Sequence, residues 1–478
     1  METQTPPDIN FFTTYRCNSR CRNCGIWQGK LQPPSHEKMD TAILERLMND
    51  PIFIRCSGVG LAGGEPTIAP LTWQLLDILP PDKHVTITTN ALNSDKLVDS
   101  LRSRNNRDRF TVQLSLDGIG AVNDEVRGIE GAYLKTLKLL LDLEELGIRR
   151  LISFTVNRLN TDQLLACYDL AEKHGALFST RLAYSGGAYS NEDNQAMYQI
   201  DHEHLSAIDR QLETILTREI KKPNHSPAQL VFWRKMTEYA RGNQRDLPCQ
   251  ALHSGMVIDL YGNVFPNCPV MMRPIGNLHQ TRLSEIWQSP EAEKARETIR
   301  QLACGGCWND CQVVTNIAME EDFLEREYTI LKSATVRLEG GILPREIDFN
   351  SGNDKLLLNG WFSLEGQDEF HFRWTGPRFS LIVPNTSSTV RFFAMFPELP
   401  NNLETRKIEI SVGDDSCGNL ITNGVGEWRE YSFTLPRPAK KGEIVRFHLN
   451  NFFCPAESGQ GPDFRRLGAA IRTLAFLS

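Results

Sequence analysis

Three cysteines near the start of the chain have a spacing suited to an iron–sulfur cluster. They stand in the segment Cys17-Asn-Ser-Arg-Cys21-Arg-Asn-Cys24, directly after the first β-prone run. Three thiolates this close can hold three irons of a [4Fe–4S] cube, which leaves the fourth iron open to another ligand. A structural cluster or a zinc site would recruit a fourth Cys or His nearby, yet the next ones downstream are His36 and Cys56. The triplet therefore predicts a reactive cluster, with a zinc knuckle as the alternative.

Five more cysteines are gathered between residues 249 and 311. A four-iron cluster takes four Cys ligands, so five thiols are enough for one such cluster and leave one thiol over. Zinc is the alternative ligand here, because a Cys-x2-Cys pair with two distant thiols also suits zinc. The segment has little core of its own, which predicts that metal holds it together. The five are Cys249, Cys268, Cys304, Cys307 and Cys311.

The elements around the first triplet alternate between β-prone and helical patterns from about residue 9 to residue 185. This alternation predicts a parallel sheet with right-handed crossovers, and six strands are enough for an open barrel. In such folds the chemistry lies at the carboxyl ends of the strands, which is where the triplet falls. The predicted strands are 9–15, 54–61, 84–89, 110–116, 151–156 and 177–184, and the predicted helices are 41–48, 71–79, 94–102, 132–146 and 161–174.

The remainder of the chain has a different pattern. Residues 190–240 are mostly helical and polar in pattern, and residues 258–265 predict a hairpin turned at Gly262 and Asn263. After about residue 330, short β-prone runs predict an all-β sandwich, with a helical pattern only in the last dozen residues. The predicted fold class is α/β: a partial (β/α)6 parallel barrel, a small cluster-binding region and a C-terminal β-sandwich. The predicted domains are residues 1–240, 241–330 and 331–478.

Charge and hydropathy argue against several classes of protein. The chain has 478 residues and a formal net charge of −7, and it has no Lys/Arg-rich patch, so nucleic acid is not an expected partner. No apolar run approaches the roughly 20 residues of a membrane-spanning helix. The N-terminus lacks the cationic and apolar regions of a signal peptide. Together these observations predict a cytoplasmic protein.

The first triplet resembles the signature of the radical S-adenosylmethionine (SAM) superfamily, and further segments match that superfamily in order. Each follows or ends a predicted strand, so all are expected at one mouth of the barrel. An Asn at position 23, where many relatives have an aromatic residue, leaves the stacking of adenine to Ile26 or Trp27. The matching segments are Gly63-Gly64-Glu65-Pro66, Thr88-Thr89-Asn90, Ser115-Leu-Asp117-Gly118 and Val126-Arg127-Gly128.

The resemblance implies a role in SAM binding for eight residues. The backbone of the Gly63–Glu65 segment would hold the amino group, Ser115 and Arg127 the carboxylate, and Leu182 the adenine. A pair of glycines permits close approach of the backbone to a ligand, and a guanidinium is suited to a carboxylate. Asp117 also has an ordinary role open to it, since Asp-Gly is a turn dipeptide. The eight residues are Gly63, Gly64, Glu65, Asn90, Ser115, Asp117, Arg127 and Leu182.

The second cysteine group resembles the SPASM or twitch extension of the same superfamily. Pro266 beside Cys268, the Gly276-Asn277-Leu278 segment and Cys307-Trp308-Asn-Asp-Cys311 contribute to the likeness. The fuller form of that extension has seven cysteines and two auxiliary clusters, so the five here imply one auxiliary [4Fe–4S] cluster and make a second unlikely. Which thiol is left over stays open.

The resemblance implies reductive cleavage of SAM to a 5′-deoxyadenosyl radical, with the electron supplied by a flavodoxin-type or ferredoxin-type donor. The substrate expected is a sugar or glycan precursor that is dehydrogenated or epimerised at carbon. The alternatives are maturation of a ribosomal peptide or protein side chain, and a non-catalytic iron–sulfur protein. Only sixteen residues precede Cys17, too few for the leader-binding domain of many peptide-modifying relatives. The segment Phe372-Arg373-Trp374 faintly resembles β-domains of polysaccharide-assembly proteins, although sandwich cores also use aromatic residues.

Overall fold

The chain forms two compact units, Met1–Ile215 with Phe232–Met319 (unit 1) and Leu216–Val231 with Glu320–Ser478 (unit 2). The structure is a computed structural model. The residues that it describes are 8–31, 33, 36–184, 186–187, 189, 191, 200–222, 225–242, 245, 247–268, 273–302, 307–338, 345–349, 356–357, 361–367, 370–397, 405–413, 415–423, 426–450, 452–453, 455 and 467–477.

The helices and strands alternate in the first part of the chain, and strands dominate the last part. The helices are α1 Thr41–Met48, α2 Pro51–Arg55, α3 Pro70–Ile78, α4 Asp95–Arg102, α5 Ala121–Arg127, α6 Ala132–Glu145, α7 Leu164–Lys173, α8 His202–Glu219, α9 Pro227–Ala240, α10 Ala251–Ser254, α11 Leu283–Trp287, α12 Pro290–Arg300, α13 Asp310–Met319 and α14 Glu321–Leu338. The strands are β1 Asp8–Phe12, β2 Gly58–Ala62, β3 His84–Thr89, β4 Phe110–Ser115, β5 Arg149–Val156, β6 Leu177–Leu182, β7 Gly255–Asp259, β8 Asn263–Pro266, β9 Gly276–Asn277, β10 Glu346–Asp348, β11 Trp361–Gln367, β12 Phe370–Thr375, β13 Arg378–Ile382, β14 Ser387–Met395, β15 Thr405–Val412, β16 Asp415–Asn423, β17 Arg429–Ala439, β18 Ile444–Leu449 and β19 Ala470–Leu477.

Unit 1 is built on a nine-stranded sheet in the order β6-β5-β4-β3-β2-β1-β7-β8-β9. Strands β1 to β6 are parallel neighbours, which confirms the predicted parallel α/β core. Strand β7 pairs in parallel with the free edge of β1, and β8 and β9 then continue the sheet in antiparallel fashion. The second cysteine region thus extends the sheet that carries the first. The predicted hairpin is confirmed, with Gly262 at φ 75° in its turn.

Local sequence explains where these elements begin and end. The Asp40 side chain accepts a hydrogen bond from the Ile43 amide and caps α1. Gly147 and Gly175 follow α6 and α7 with positive φ values of 68° and 58°, as left-handed helix stops. The predicted start of the second strand at residue 54 is wrong, because Asp50 caps a short helix there and the strand begins at residue 58.

Unit 2 holds two antiparallel sheets, which confirms the expected β-rich C-terminal part. One sheet has the order β11-β12-β19-β14-β17 with β10 beside β19, and the other has the order β13-β18-β15-β16. Side chains of both sheets share one buried core; Phe392 of β14 and Phe447 of β18, for example, have ring centroids 5.3 Å apart. Two sheets packed on a common apolar layer make a β-sandwich. The helical pattern of the last dozen residues is corrected to strand β19.

Candidate active site

A cavity of about 530 Å³ opens at the carboxyl ends of β1 to β6. Ten residues that the sequence singled out from the first triplet and the SAM-binding set line it together. Asp117 does not line the cavity and is buried behind its wall. Cys268 of the second cysteine group borders the same cavity. The ten are Cys17, Cys21, Cys24, Gly63, Gly64, Glu65, Asn90, Ser115, Arg127 and Leu182.

The loop that carries the first triplet is docked on the end of helix α5. The Ser19 hydroxyl and the Arg20 amide both donate to the carbonyl oxygen of Arg127, at 3.0 and 3.1 Å. Gly128, at φ 66°, follows the helix, and a side chain there would overlap the Arg20 carbonyl. Because only glycine permits this approach, the Arg127-Gly128 pair positions the loop as well as the cavity wall.

The three thiols of the triplet lie close enough to affect one another. Burial raises the pKa of Cys17 and of Cys24, the latter to about 12, and the neighbouring Cys21 adds to both effects. Two donors approach the Cys17 sulfur, the Ser19 amide at 3.4 Å and the Asn90 side-chain nitrogen at 3.6 Å. Among the described residues no three Cys, His, Asp or Glu side chains form a preassembled metal site. The donor set nevertheless fits a cluster, since hydrogen bonds to the sulfurs are what thiolate-bound clusters receive from proteins.

The Gly-Gly segment after β2 packs against the start of the cysteine loop. The Gly64 amide donates to the Thr14 carbonyl at 2.7 Å, and the Glu65 amide donates to the Arg16 carbonyl at 2.9 Å. A Cβ atom on Gly63 would lie 2.7 Å from the Thr14 oxygen, and one on Gly64 would overlap the Arg16 carbonyl. The two amides are thus used within the protein, and backbone carbonyl oxygens of this segment are the groups suited to accept hydrogen bonds from an ammonium.

The carboxylate of Glu65 is fully occupied by protein donors. It is 1% exposed, and one oxygen accepts from the Thr67 amide at 3.1 Å and from the hydroxyls of Thr67 and Thr89 at 2.7 Å each. The other oxygen accepts from the Asn90 amide at 2.8 Å. Glu65 therefore ties the end of β2 to the end of β3, and its side chain is a positioning group.

Asp117 is likewise a positioning group, and the side chain that it holds is Arg127. One carboxylate oxygen accepts from Arg127 Nη1 at 3.1 Å and the other from the Thr155 amide at 2.8 Å. Burial opposes the charge of Arg127, but Cys21 and Asp117 outweigh burial and raise its pKa. The described contacts of the guanidinium leave its second terminal nitrogen for a ligand, and Ser115 lies at the end of β4 in the same wall. Asp117 thus forms a specific ion pair with Arg127.

Another part of the cavity lining is aromatic and apolar. Leu182, Ile26 and Trp27 line it together with Tyr184 and Tyr189. Trp27 is fixed by a hydrogen bond from its indole nitrogen to the Cys21 carbonyl at 3.2 Å, and the two tyrosine rings meet edge to face at 5.4 Å. Sequence reasoning missed the tyrosines, although Tyr184 follows the end of β6 and thus had the same positional signal as the other site residues.

Three cysteines of the second group have described side chains. Cys249 and Cys268 are buried and Cys307 is half-buried. Burial raises the pKa of Cys307 to about 12, Arg245 lowers it, and Cys249 and Cys268 raise it further, so these three thiols are neighbours. Cys304 and the side chain of Cys311 lie outside the described residues. The prediction of one auxiliary cluster with one spare thiol therefore stays a prediction.

The hairpin of this second region is also fastened to the first loop. The Tyr15 hydroxyl donates to Asp259 at 2.8 Å, and its ring stacks on Tyr261 at a centroid distance of 6.0 Å. Asp259 in turn accepts from the side chain and the amide of Asn263, at 2.9 Å each. The two cysteine regions are thus joined both by the pairing of β1 with β7 and by side-chain contacts.

Deeper in the barrel, the cavity wall is polar. Barrel interiors are usually filled by branched apolar side chains, but here strands β1, β3, β4 and β5 present amide, imidazole and hydroxyl groups. A cation, Arg181 of β6, is held by Asp310 at 2.8 Å and by the Ser153 hydroxyl at 2.8 Å. The polar residues that line this part include Asp8, Asn10, His84, Thr86, Gln113, Ser153, Thr155 and Asn267.

Two family models match the chain in the regions that carry the cysteines. The model of the radical SAM superfamily matches residues 11–170. The model of the iron–sulfur cluster-binding SPASM domain matches residues 249–312. The first match contains the triplet, the Gly-Gly segment and Arg127, and the second contains all five cysteines of the second group.

Three curated relatives support the same assignment. The chain is 26% identical over 332 residues to pre-heme d1 synthase of Dinoroseobacter shibae, covering 63% of this chain and 79% of that protein. It is 34% identical over 186 residues to a mycofactocin maturase of Mycolicibacterium smegmatis, covering 38% of this chain and 46% of that protein. It is 21% identical over 327 residues to the sporulation killing factor maturation protein of Bacillus subtilis, covering 67% of this chain and 72% of that protein.

The chain thus spans less than half of the mycofactocin maturase and most of the other two relatives. Within the described residues, no helix combines the length and the hydropathy that crossing a membrane requires. The family matches also set aside the non-catalytic alternative, since the superfamily and these relatives are enzymes. The chain is therefore an enzyme with a radical SAM domain at residues 11–170 and a SPASM-type iron–sulfur region at residues 249–312.

Proposed function

We propose that this enzyme removes a hydrogen atom from a carbon of a sugar or glycan precursor, with dehydrogenation or epimerisation as the outcome. The observation that carries the proposal is the cavity. It brings three thiols, a guanidinium and a Gly-Gly segment to one mouth, and it continues into a barrel lined by neutral polar side chains together with two charged ones, Asp8 and Arg181. A ligand rich in hydroxyl groups is the class that such a lining suits, because each hydroxyl needs both donors and acceptors once it is buried.

The residues at the mouth fit the cofactors of the family. Cys17, Cys21 and Cys24 would hold the [4Fe–4S] cluster, with SAM at the fourth iron. When bound, the two cofactors supply reductive cleavage of SAM and a carbon-centred radical that removes a hydrogen atom from the substrate. A flavodoxin-type or ferredoxin-type protein would deliver the electron, which is consistent with a cytoplasmic location.

The chain's own part is to bind and orient. Arg127 would receive the carboxylate of SAM, because Asp117 holds its charge in place and leaves a terminal nitrogen available. The carbonyl oxygens of the Gly63–Glu65 segment would accept the ammonium, and Leu182 would cover the adenine. Asn90, which Glu65 fixes through its amide, would support the Cys17 sulfur.

The second cysteine group would hold one auxiliary [4Fe–4S] cluster through four of its five thiols. Cys268 borders the main cavity, so that cluster would lie beside the bound substrate. With two clusters, the reconstituted protein is expected to contain about eight iron atoms per chain. A content of about four would leave the second group without a cluster, and zinc there would support the alternative site.

The decisive experiment is deuterium transfer. Reconstituted protein is incubated without oxygen with SAM, a reductant and nucleotide-activated hexoses deuterated at their ring carbons. Mass spectrometry of 5′-deoxyadenosine is expected to show deuterium from at least one hexose. A Gln113→Leu variant, altered in the polar wall, is expected to lose this transfer while it still cleaves SAM without substrate. Transfer from none of the hexoses would contradict the proposed substrate class.

Peptide maturation is the second candidate. Its support is the description of two relatives as a maturase and a maturation protein. The same assay with peptides deuterated at their side chains tests it. Deuterium from a peptide, and from no hexose, would establish this candidate in place of the first.

A further inference from the structure

The outward face of the larger sheet in unit 2 carries aromatic side chains. Because side chains alternate along a strand, Phe393 must face away from the core that its buried neighbour Phe392 joins. On β12 the buried Arg373 lies between Phe372 and Trp374, so Phe370, Phe372 and Trp374 share the outward face.

These rings form one continuous group. The indole of Trp428 lies 5.1 Å from the ring of Phe370, 5.5 Å from that of Phe372 and 5.7 Å from that of Phe393. Along β12, successive ring centroids are 6.3 and 6.0 Å apart. All five side chains are partly exposed to solvent. We call Phe370, Phe372, Trp374, Phe393 and Trp428 the aromatic platform.

The outward face of the other sheet forms ion pairs with a helix. There Arg446 of β18 pairs with Glu325 of helix α14 at 3.0 Å, and Arg378 of β13 pairs with Asp322 of the same helix. One face of the sandwich is thus in contact with a helix, while the platform keeps five large rings in partial contact with water. A contiguous group of partly exposed apolar side chains is a candidate interaction site.

The charges of the described side chains around the platform are balanced. Arg391 lies 3.8 Å from Glu430, and the guanidinium of Arg472 covers the ring of Phe370 at 4.5 Å. A nucleic-acid site that stacked bases on these rings would need an excess of positive charge for the phosphates. Among the described residues, three acidic and three basic side chains instead favour an uncharged ligand. They are Arg391, Arg429, Arg472, Glu365, Glu427 and Glu430.

We propose that the platform binds a neutral carbohydrate chain. The face of an aromatic ring is negative and its edge positive, so ring faces attract sugar C–H groups and ring edges tolerate hydroxyl oxygens. The platform offers both, because its rings meet mostly edge to face. Its row of rings on one strand suits a ligand built of repeated rings, and the surrounding guanidinium and carboxylate groups suit pairs of hydroxyls. The choice of a carbohydrate as ligand rests on the proposed function. The platform itself does not, because all of its residues belong to unit 2.

Binding is tested on the full-length protein without SAM or reductant. Cellohexaose, chitohexaose and maltohexaose are titrated in a calorimeter, with an oligouridylate as the polyanionic probe. The variants are Trp428→Ala and the milder Phe372→Leu. The matched control is Trp73→Ala, because Trp73 in unit 1 is also a half-buried tryptophan with a cation, Lys96, 4.2 Å from its ring centre. Circular dichroism checks that each variant is folded.

At least one hexasaccharide is expected to bind, with affinity lowered about tenfold or more by Trp428→Ala, which is about 1.4 kcal/mol. Phe372→Leu is expected to weaken binding in the same direction and Trp73→Ala to leave it unchanged. The proposal is overturned if no hexasaccharide binds the unaltered protein, as it would be if the platform docked another protein. It is also overturned if both platform variants bind normally, or if only the oligouridylate binds. Deuterium transfer can fail while these titrations succeed, so failure of the proposed function can be distinguished from failure of the platform proposal.

Discussion

Replacing Glu65 with glutamine is expected to lower the free energy of local opening of the loops after β2 and β3 by at least about 2 kcal/mol. The side chains have nearly the same shape, so the change leaves no cavity and acts through hydrogen bonding alone. Glutamine has one acceptor oxygen where the carboxylate has two. It must therefore present an amide nitrogen either to the Asn90 amide or to the Thr67 amide, which now donate at 2.8 and 3.1 Å.

The magnitude follows from that mismatch. The hydroxyls of Thr67 and Thr89 can rotate to accept from an amide, but a backbone N–H cannot. One buried N–H is left without an acceptor in either orientation, which costs about 1–3 kcal/mol. The bonds that remain lose the assistance of a negative charge and become roughly half as strong. A loss of 2 kcal/mol corresponds to an opening equilibrium about 30-fold larger.

Hydrogen exchange with mass spectrometry is the suitable assay, because a chain of two units need not unfold in one step. Peptides covering residues 63–92 are expected to exchange about 30-fold faster in the variant, and peptides of unit 2 at the unaltered rate. Glu45→Gln on the exposed side of α1 is the control and should change nothing. Unaltered protection of residues 63–92 in Glu65→Gln would refute the positioning role of this carboxylate.

Other contacts of the cavity wall lead to further predictions. Asp117→Asn places an amide beside Arg127 and is expected to weaken SAM binding about tenfold in calorimetry; an unchanged affinity would mean that Arg127 needs no such support. Gly64→Ala drives a methyl group into the Arg16 carbonyl and is expected to lower the iron content of the first cluster. Gly242→Ala strains the backbone at φ 94° but meets nothing within 4 Å, and it should leave that iron content unchanged. Removal of iron by a chelator is expected to lower the melting temperature, and an unchanged melting temperature would speak against thiolate ligation.

The parallel part of unit 1 could be predicted because its signals are local. Thr41–Met48 and His84–Thr89 have the same bounds in the sequence prediction and in the structure. The grouping of ten predicted site residues around one cavity followed from the same pattern, since each motif ends a strand and parallel strands end at one edge. The partner of β7 could not be predicted in this way. Its pairing with β1 joins Asp8 to Gly255, and contact between such distant segments leaves no periodic trace in either.

Strand β19 was mistaken for a helical pattern for a physical reason. Its pairing with β14 shifts register between Phe393 and Ala394, where one residue of β19 is passed over. Such a bulge interrupts the alternation of inward and outward side chains. The burial of Ala470–Leu477 accordingly runs in pairs and triplets rather than alternating, which imitates the apolar spacing of a helix.

The acidic residues of the site show where reasoning from motifs stops. Glu65 and Asp117 were expected among the groups that bind SAM; Glu65 lines the cavity, whereas Asp117 is buried behind its wall. Their carboxylates, however, are occupied by Thr67, Asn90 and Arg127, partners that no spacing in the sequence identifies. Loss of SAM binding on mutation of either acid would therefore not demonstrate contact with SAM. The distinguishing sign is a change in the exchange of neighbouring backbone amides before any cofactor is added, because a positioning residue acts in the free protein and a ligand contact does not.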